Sequence, residues 1–148
     1  GVFACGNVVH IHDLVDNVTR EAWTAGEGAA RFVAGRQPAG LTIRTRAGDG
    51  IRYVVPHILH LDNLAARDVR LFMRATRPDE RVQVEAVVGD QVVFSKFERV
   101  VRPAEMIALT IPRGKVSSGV AAFGSETRLI VRVRPRDCDA GPKGGAKA

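Results

Sequence analysis

The chain has 148 residues, of which 45% are hydrophobic and 26% are charged, a composition typical of folded globular proteins and not of disordered ones. Its length suffices for one ordinary domain, or for a small domain joined to a fragment of another. No apolar run approaches the roughly 20 residues of a membrane-spanning helix, and the first residues lack the basic region of a signal peptide. We therefore expect a cytoplasmic protein with no membrane association.

The net charge of +6 is unevenly distributed, because residues 1–35 carry a balance of −2 whereas residues 36–136 carry +8. A basic second part suits a solvated sheet face, an acidic protein partner or a polyanion. The arginines alternate with apolar residues, which favours the solvated face. An aromatic content of only 5% argues against stacking on nucleic-acid bases.

The first residues contain an apolar stretch, Val2–Cys5, that predicts a short buried strand of the parallel type. Gly6 and Asn7 then predict a turn, since glycine accepts positive φ and asparagine tolerates the left-handed region. We interpret Cys5 as a small core residue rather than a nucleophile, and Cys138 as incidental.

A long helix is predicted from Asp13 to Ala34. Its apolar residues recur at spacings of three and four, namely Leu14, Val18, Ala22, Ala25, Ala29 and Phe32. Asp13 suits the N-cap, and Gly35 suits the position just past the helix end. Trp23 lies well off the stripe, so we expect a second surface to cover it.

Residues 36–40 are a predicted linker, beyond which the hydrophobic period changes from 3.6 to 2. Residues 41–136 contain six strand candidates: Ile51–Val55, Val69–Arg74, Arg81–Val88, Gln91–Phe97, Met106–Ile111 and Thr127–Val133. Short strands with turns between them predict a small antiparallel, Ig-like β-sandwich. Residues 137–148 have the composition of a disordered tail.

The beginning of the chain resembles the C-terminal flavin motif of NAD(P)/FAD-dependent, pyridine nucleotide–disulfide oxidoreductase-like flavoproteins. The resemblance lies in Gly1–Asn7, Asp13–Asp16 and Ala25–Ala30, which match an apolar strand, a glycine turn and a helix rich in Ala and Gly. Asn7 stands where this family usually has aspartate. Val101–Met106 is similar to the C-terminal region of the same flavoproteins.

This resemblance implies an α+β fold in which residues 1–35 are the terminal strand–helix piece of a Rossmann-like FAD-binding domain, followed by the sandwich. It implies flavin contacts from Gly6, Asn7, His12, Asp13, Leu14 and Val15. The implied activity is that of an FAD-dependent NAD(P)H oxidoreductase, of which this chain is the C-terminal portion. The implied partners are the remainder of the flavoprotein before Gly1 and a partner dehydrogenase or small redox subunit.

The chain contains no Gly-x-Gly-x-x-Gly loop for FAD or NAD(P)H and no redox Cys-x-x-Cys pair. We therefore expect the chain alone to bind FAD weakly or not at all, and to be inactive. The alternative prediction is a non-catalytic β-sandwich module that docks a partner redox protein.

The histidines leave two interpretations open. His10 and His12 share a side of an extended segment, where they could position a substrate or proton near the flavin, or make hydrogen bonds within the loop. With His57 and His60 they are candidate metal ligands, but no Cys, Asp or Glu is spaced to complete a site. We therefore predict no metal.

Overall fold

The structure of the chain is a computed structural model that describes residues 1–36, 40–116 and 128–136. It is a mixed α+β fold, with most of its regular structure in strands. Residues Gly6–Val8 form a 3-10 helix, and the two α-helices are α1 (Val15–Val33) and α2 (Leu61–Ala66). The described strands are β1 (Thr42–Ala47), β2 (Ile51–Val55), β3 (Ile58–His60), β4 (Val69–Ala75), β5 (Asp79–Val88), β6 (Gln91–Val101), β7 (Met106–Ile111) and β8 (Arg128–Pro135).

Some predicted features lie outside the described residues. They comprise the middle of the linker 36–40, Thr127 at the start of the last predicted strand, and the tail 137–148 with Cys138. Among the described residues, neither helix combines the length and apolar character needed to cross a bilayer.

The strands form two sheets. The large sheet has the order β3-β1-β8-β5-β6, and the small sheet has the order β2-β4-β7. All of these pairs are antiparallel except β1 with β8, which run parallel. The prediction of an antiparallel sandwich is therefore wrong for β1. A parallel pair requires a long crossover, and the chain between β1 and β8 provides one.

Alternation along the strands builds one hydrophobic core between the two sheets. In β5, Val82, Val84 and Ala86 are fully buried, while the polar residues Arg81, Gln83 and Glu85 that alternate with them are not. In β4, Leu71 and Met73 are fully buried and belong to the same cluster. Each buried aliphatic side chain of this size contributes about 1.5–3 kcal/mol to folding, so the shared core holds the two sheets together.

Five of the predicted strands are confirmed within a few residues, and Ile51–Val55 and Met106–Ile111 have their predicted bounds. The last predicted strand is confirmed from Arg128 onward. β5 begins at Asp79, two residues before the start of the predicted strand Arg81–Val88. The sequence did not predict β1, β3 or α2.

The predicted strand Val2–Cys5 is wrong. Residues 1–5 form no strand, and most of them are exposed. No strand among the described residues pairs with their backbone, and an unpaired strand is not stable. Phe3 packs instead edge-on against Phe32 of α1, with ring centroids 5.7 Å apart.

The start of α1 also differs from the prediction, whereas its end does not. Asp13 does not cap the helix, because Leu14 occupies the N-cap and no side chain bonds there. Gly35 has φ +68°, and its N–H donates to Phe32 O at 3.0 Å. Arg36 N–H donates to Arg31 O at 2.8 Å. These two bonds are the C-terminal pattern that glycine favours at this position.

Candidate functional site

Residues 10–13, which we call the junction, join the 3-10 helix to α1 and lie against the outer face of the small sheet. Because side chains alternate along a strand, Phe72 and Arg74 of β4 point away from the core that holds Leu71 and Met73. Phe72 is nevertheless only 9% exposed. The junction therefore covers a side chain that the two-sheet fold leaves outside its core.

Two histidine rings provide this cover. The His10 ring stacks on Phe72 with centroids 5.6 Å apart, and the His12 ring meets Phe72 edge-on at 5.0 Å. His10 Nδ1 lies 3.0 Å from the hydroxyl oxygen of Tyr53 on β2. Burial, followed by the nearby charges of His12 and Arg74, lowers the pKa of His10 below its ordinary value of 6.5. His10 is therefore held neutral at physiological pH.

Glu21 of α1 connects the junction to the 3-10 helix. Its Oε2 accepts a hydrogen bond from Gly6 N–H at 2.6 Å and lies 3.0 Å from His12 Nε2. Asn7 Oδ1 accepts a weaker bond from His12 N–H at 3.3 Å. Gly6 has φ +69°, a conformation that costs other residues about 1 kcal/mol or more. The glycine turn, the histidine and the helix thus form one connected unit.

Asp13 forms the second link to the small sheet. Its Oδ1 accepts from Arg74 Nη2 at 2.8 Å, and its Oδ2 accepts from Met106 N–H at 2.6 Å. Arg74 also donates to the carbonyl oxygens of Ile11, at 2.9 Å, and of Ala104. Burial alone would raise the pKa of Asp13, but the bonds from Met106 N–H and Arg74 outweigh it and lower that pKa. Asp13 is therefore ionised, and both of its carboxylate oxygens accept hydrogen bonds.

Two nitrogen atoms at the junction take part in none of these hydrogen bonds. His10 Nε2 and His12 Nδ1 are buried and meet no hydrogen-bond partner among the described residues. Each such atom costs about 1–3 kcal/mol, so the histidines are held there by their ring contacts and their other nitrogens. In the part of the chain that the structure describes, no three His, Cys, Asp or Glu side chains converge as a metal site.

The structure separates the six predicted flavin-contact residues into two groups. Gly6, His12 and Asp13 are engaged in the internal bonds described above. Asn7 is exposed although its Oδ1 accepts the bond from His12 N–H, and Leu14 and Val15 are exposed by 65% and 76%. His57 is exposed on the turn between β2 and β3.

Sequence reasoning missed Tyr53, Phe72 and Arg74. A signal for the last two was present, because the alternation of Val69–Arg74 places Phe72 on the outward face beside arginines. A large aromatic residue in that position needs cover from another segment.

The apolar stripe predicted on α1 is not buried. The helix contains no buried residue, and Trp23 is 70% exposed. Ten of the fourteen exposed large hydrophobic residues in the described ranges lie in residues 1–33. The apolar surface of this segment, which we call the N-terminal apolar surface, comprises Val2, Phe3, Val8, Val9, Ile11, Leu14, Val15, Trp23, Phe32 and Val33.

No family model matches this chain, and searches of curated proteins and of solved structures each return no match.

The lowered pKa of His10 predicts that stability depends on pH. In the unfolded chain His10 takes up a proton near pH 6.5, whereas in the folded chain it does so only at a lower pH. The contribution of neutral His10 to the stability is therefore complete above pH 6.5 and is lost as the pH falls toward the lowered pKa. We expect the loss to be about 1.4 kcal/mol for each unit of pKa shift. Urea unfolding at about pH 7.5 and 5.5 measures it.

His10→Gln should flatten the pH dependence between these two values, and the matched His57→Gln, on an exposed turn, should leave it as in the wild type. Equal pH dependence in all three proteins would contradict the role assigned to His10. The groups facing His10 are His12, Glu21, Asp13, Tyr53 and Arg74.

Proposed function

We propose that this chain is the flavin-closing and partner-docking portion of an FAD-dependent NAD(P)H oxidoreductase. The observation that supports it is the N-terminal apolar surface, which the described residues leave uncovered although it includes Trp23, Leu14 and Val15. Exposed apolar surface concentrated in one segment is characteristic of a protein contact or a ligand site. Under this proposal the remainder of the flavoprotein covers it.

The junction supports the proposal by fixing where α1 begins. Asp13, Arg74 and Met106 N–H hold the residue before the helix against the small sheet, so Leu14 and Val15 project outward at the helix N-terminus. The positive end of a helix dipole stabilises nearby negative charge by about 0.3–1 kcal/mol at an exposed site, and by more when it is buried. A reduced flavin carries such a charge.

The residues present fit FAD in part. Asn7, Leu14 and Val15 are accessible and would contact it, whereas Gly6, His12 and Asp13 would hold those contacts in place through their internal bonds. When bound, FAD supplies the hydride and electron transfer between NAD(P)H and an acceptor. The protein groups bind and orient it, and the Asn7 carboxamide offers both a donor and an acceptor to its hydroxyl groups.

Substitution of Asn7 tests this proposal in the whole encoded protein. Asn7→Ala should weaken FAD binding about tenfold, which corresponds to about 1.4 kcal/mol for a lost hydrogen bond. Asn7→Asp, which retains the acceptor oxygen, should bind FAD as the wild type does. The FAD dissociation constant measures both effects, and equal constants for the alanine variant and the wild type would contradict the proposal.

A second candidate function, docking of an acidic protein partner, is favoured by the register of the large sheet. Arg44 of β1 lies directly beside Arg128 of β8, and both are exposed. Like charges side by side on neighbouring strands repel each other, by about 1 kcal/mol or less at an exposed site. Arg132 and Arg134 are neutralised by Glu85, at 2.9 Å, and Asp49, at 3.5 Å, but neither Arg44 nor Arg128 has an ion-pair partner among the described residues.

Arg44→Gln combined with Arg128→Gln should raise the free energy of unfolding by about 0.5 kcal/mol and should weaken binding of poly-L-glutamate. Arg52→Gln combined with Arg113→Gln removes the same charge elsewhere and serves as the matched control. Binding by fluorescence anisotropy and stability by urea unfolding check both effects. Equal weakening by the two double variants would show that net charge, and not this sheet face, is responsible.

A further inference from the structure

A cleft lies between α1 and the strands, and it is separate from the residues predicted to contact flavin. Its volume is about 480 Å³, within the roughly 300–1,000 Å³ of small-molecule sites. None of the six predicted flavin-contact residues lines it. A ligand in this cleft would therefore occupy a second site.

The floor of the cleft is apolar. It is formed by Val55, Pro56, Leu59 and Phe72, of which Val55, Leu59 and Phe72 are each at most 9% exposed. Ala25 of α1 contributes a small side chain to the opposite wall. Buried aliphatic and aromatic groups on one side and a small residue on the other leave room for the apolar body of a ligand.

The rim of the cleft carries both signs of charge, but its carboxylates are already engaged. Glu21 accepts a bond from the 3-10 helix and contacts the junction histidine, and Asp68 accepts from a backbone N–H after β7 at 3.0 Å. The cations are Arg20, Arg67 and Arg70. The charge that remains available to a ligand is therefore positive.

These arginines make few hydrogen bonds or ion pairs with other described residues. Among the described residues, the guanidinium groups of Arg20 and Arg67 take part in no hydrogen bond or ion pair, and that of Arg70 makes one long contact of 3.4 Å with Asn17. A guanidinium presents a planar set of donors that matches a carboxylate in a bidentate way. An apolar floor with free arginines at its rim selects an amphipathic anion.

We propose that this cleft binds a small amphipathic carboxylate, with its apolar body on the strand floor and its carboxylate at the arginines of the rim. This proposal does not depend on the flavin proposal, because none of the six predicted flavin-contact residues lines the cleft and its test needs no part of the protein beyond this chain.

Calorimetric titration of the chain with dodecanoate, and with dodecanol as the uncharged analogue, tests the proposal. We expect saturable binding of one dodecanoate per chain and at least fivefold weaker binding of dodecanol. Equal affinity for the two, or no saturation by dodecanoate, would overturn it.

Two pairs of variants locate the binding. Ala25→Trp fills the cleft and should abolish binding, whereas Ala30→Trp, on the same helix but outside the cleft, should bind as the wild type does. Arg67→Gln should weaken dodecanoate binding about tenfold and leave dodecanol unchanged, whereas Arg52→Gln should change neither. Wild-type binding by Ala25→Trp would place the ligand on the N-terminal apolar surface and overturn the proposal. Circular dichroism verifies that each variant is folded.

Discussion

Replacing Phe72 with alanine should lower the free energy of unfolding by about 3–5 kcal/mol, the range found when a buried aromatic side chain is truncated. Phe72 is 9% exposed, and its ring contacts those of His10 and His12. Its removal would leave a cavity between the small sheet and the junction, and it would expose two imidazoles that already lack part of their hydrogen bonding. Urea unfolding measures the loss.

A second observable separates this effect from a general loss of stability. In Phe72→Ala, hydrogen exchange should accelerate more in α1 than in β5, each relative to the wild type. The reason is that the junction fixes the helix, whereas β5 belongs to the shared core. Phe97→Ala is the matched control. Phe97 is 41% exposed on β6 with the Arg136 guanidinium 4.8 Å from its ring centroid, so we expect a loss of about 1 kcal/mol or less. Equal losses in both variants would contradict the account of the junction.

Arg74→Gln should cost about 2 kcal/mol of stability, the second-largest effect that we expect. The substitution removes the hydrogen bonds that the Arg74 guanidinium donates to Asp13 and to two backbone carbonyl oxygens. Breaking a buried pair costs about 3–5 kcal/mol, but the Asp13 side chain is 38% exposed, so water partly replaces what it loses. Burial alone would lower the pKa of Arg74, but the hydrogen bond to Asp13 and the proximity of Asp13 and Tyr53 outweigh it and raise that pKa. Arg74 is therefore charged throughout the accessible pH range.

A double-mutant cycle with Asp13→Asn isolates the pair, and we expect a coupling energy of about 1 kcal/mol. Arg70→Gln on the same strand is the matched control, and it should change stability by no more than about 0.5 kcal/mol, since the only side-chain hydrogen bond of Arg70 among the described residues is the long one to Asn17. A coupling energy of zero would mean that Asp13 and Arg74 do not act together.

The strands were predictable where each side chain follows the rule of alternation. Val82, Val84 and Ala86 alternate with polar residues, and the core forms from them. β1 was missed because its inward positions include Thr45, a polar residue that is buried with its hydroxyl donating to Pro56 O at 2.5 Å. β3 and α2 are three and six residues long, too short for a period to be recognised.

The junction was not predictable from local pattern. Asp13 has the residue type and position of a helix N-cap, but its carboxylate bonds to Arg74 and to Met106 N–H, groups from distant parts of the chain. Tertiary partners of this kind override local preference, and a single sequence does not reveal them. The histidines illustrate the same point, because their spacing was noted while the aromatic residue that they cover, Phe72, was not.

The proposal that this chain completes a flavin site is tested by the visible absorption spectrum of the whole encoded protein after purification with FAD present. We expect one bound oxidised flavin per polypeptide, and no stoichiometric flavin on these 148 residues alone. A colourless whole protein, or a stoichiometric yellow complex of these residues by themselves, would contradict it.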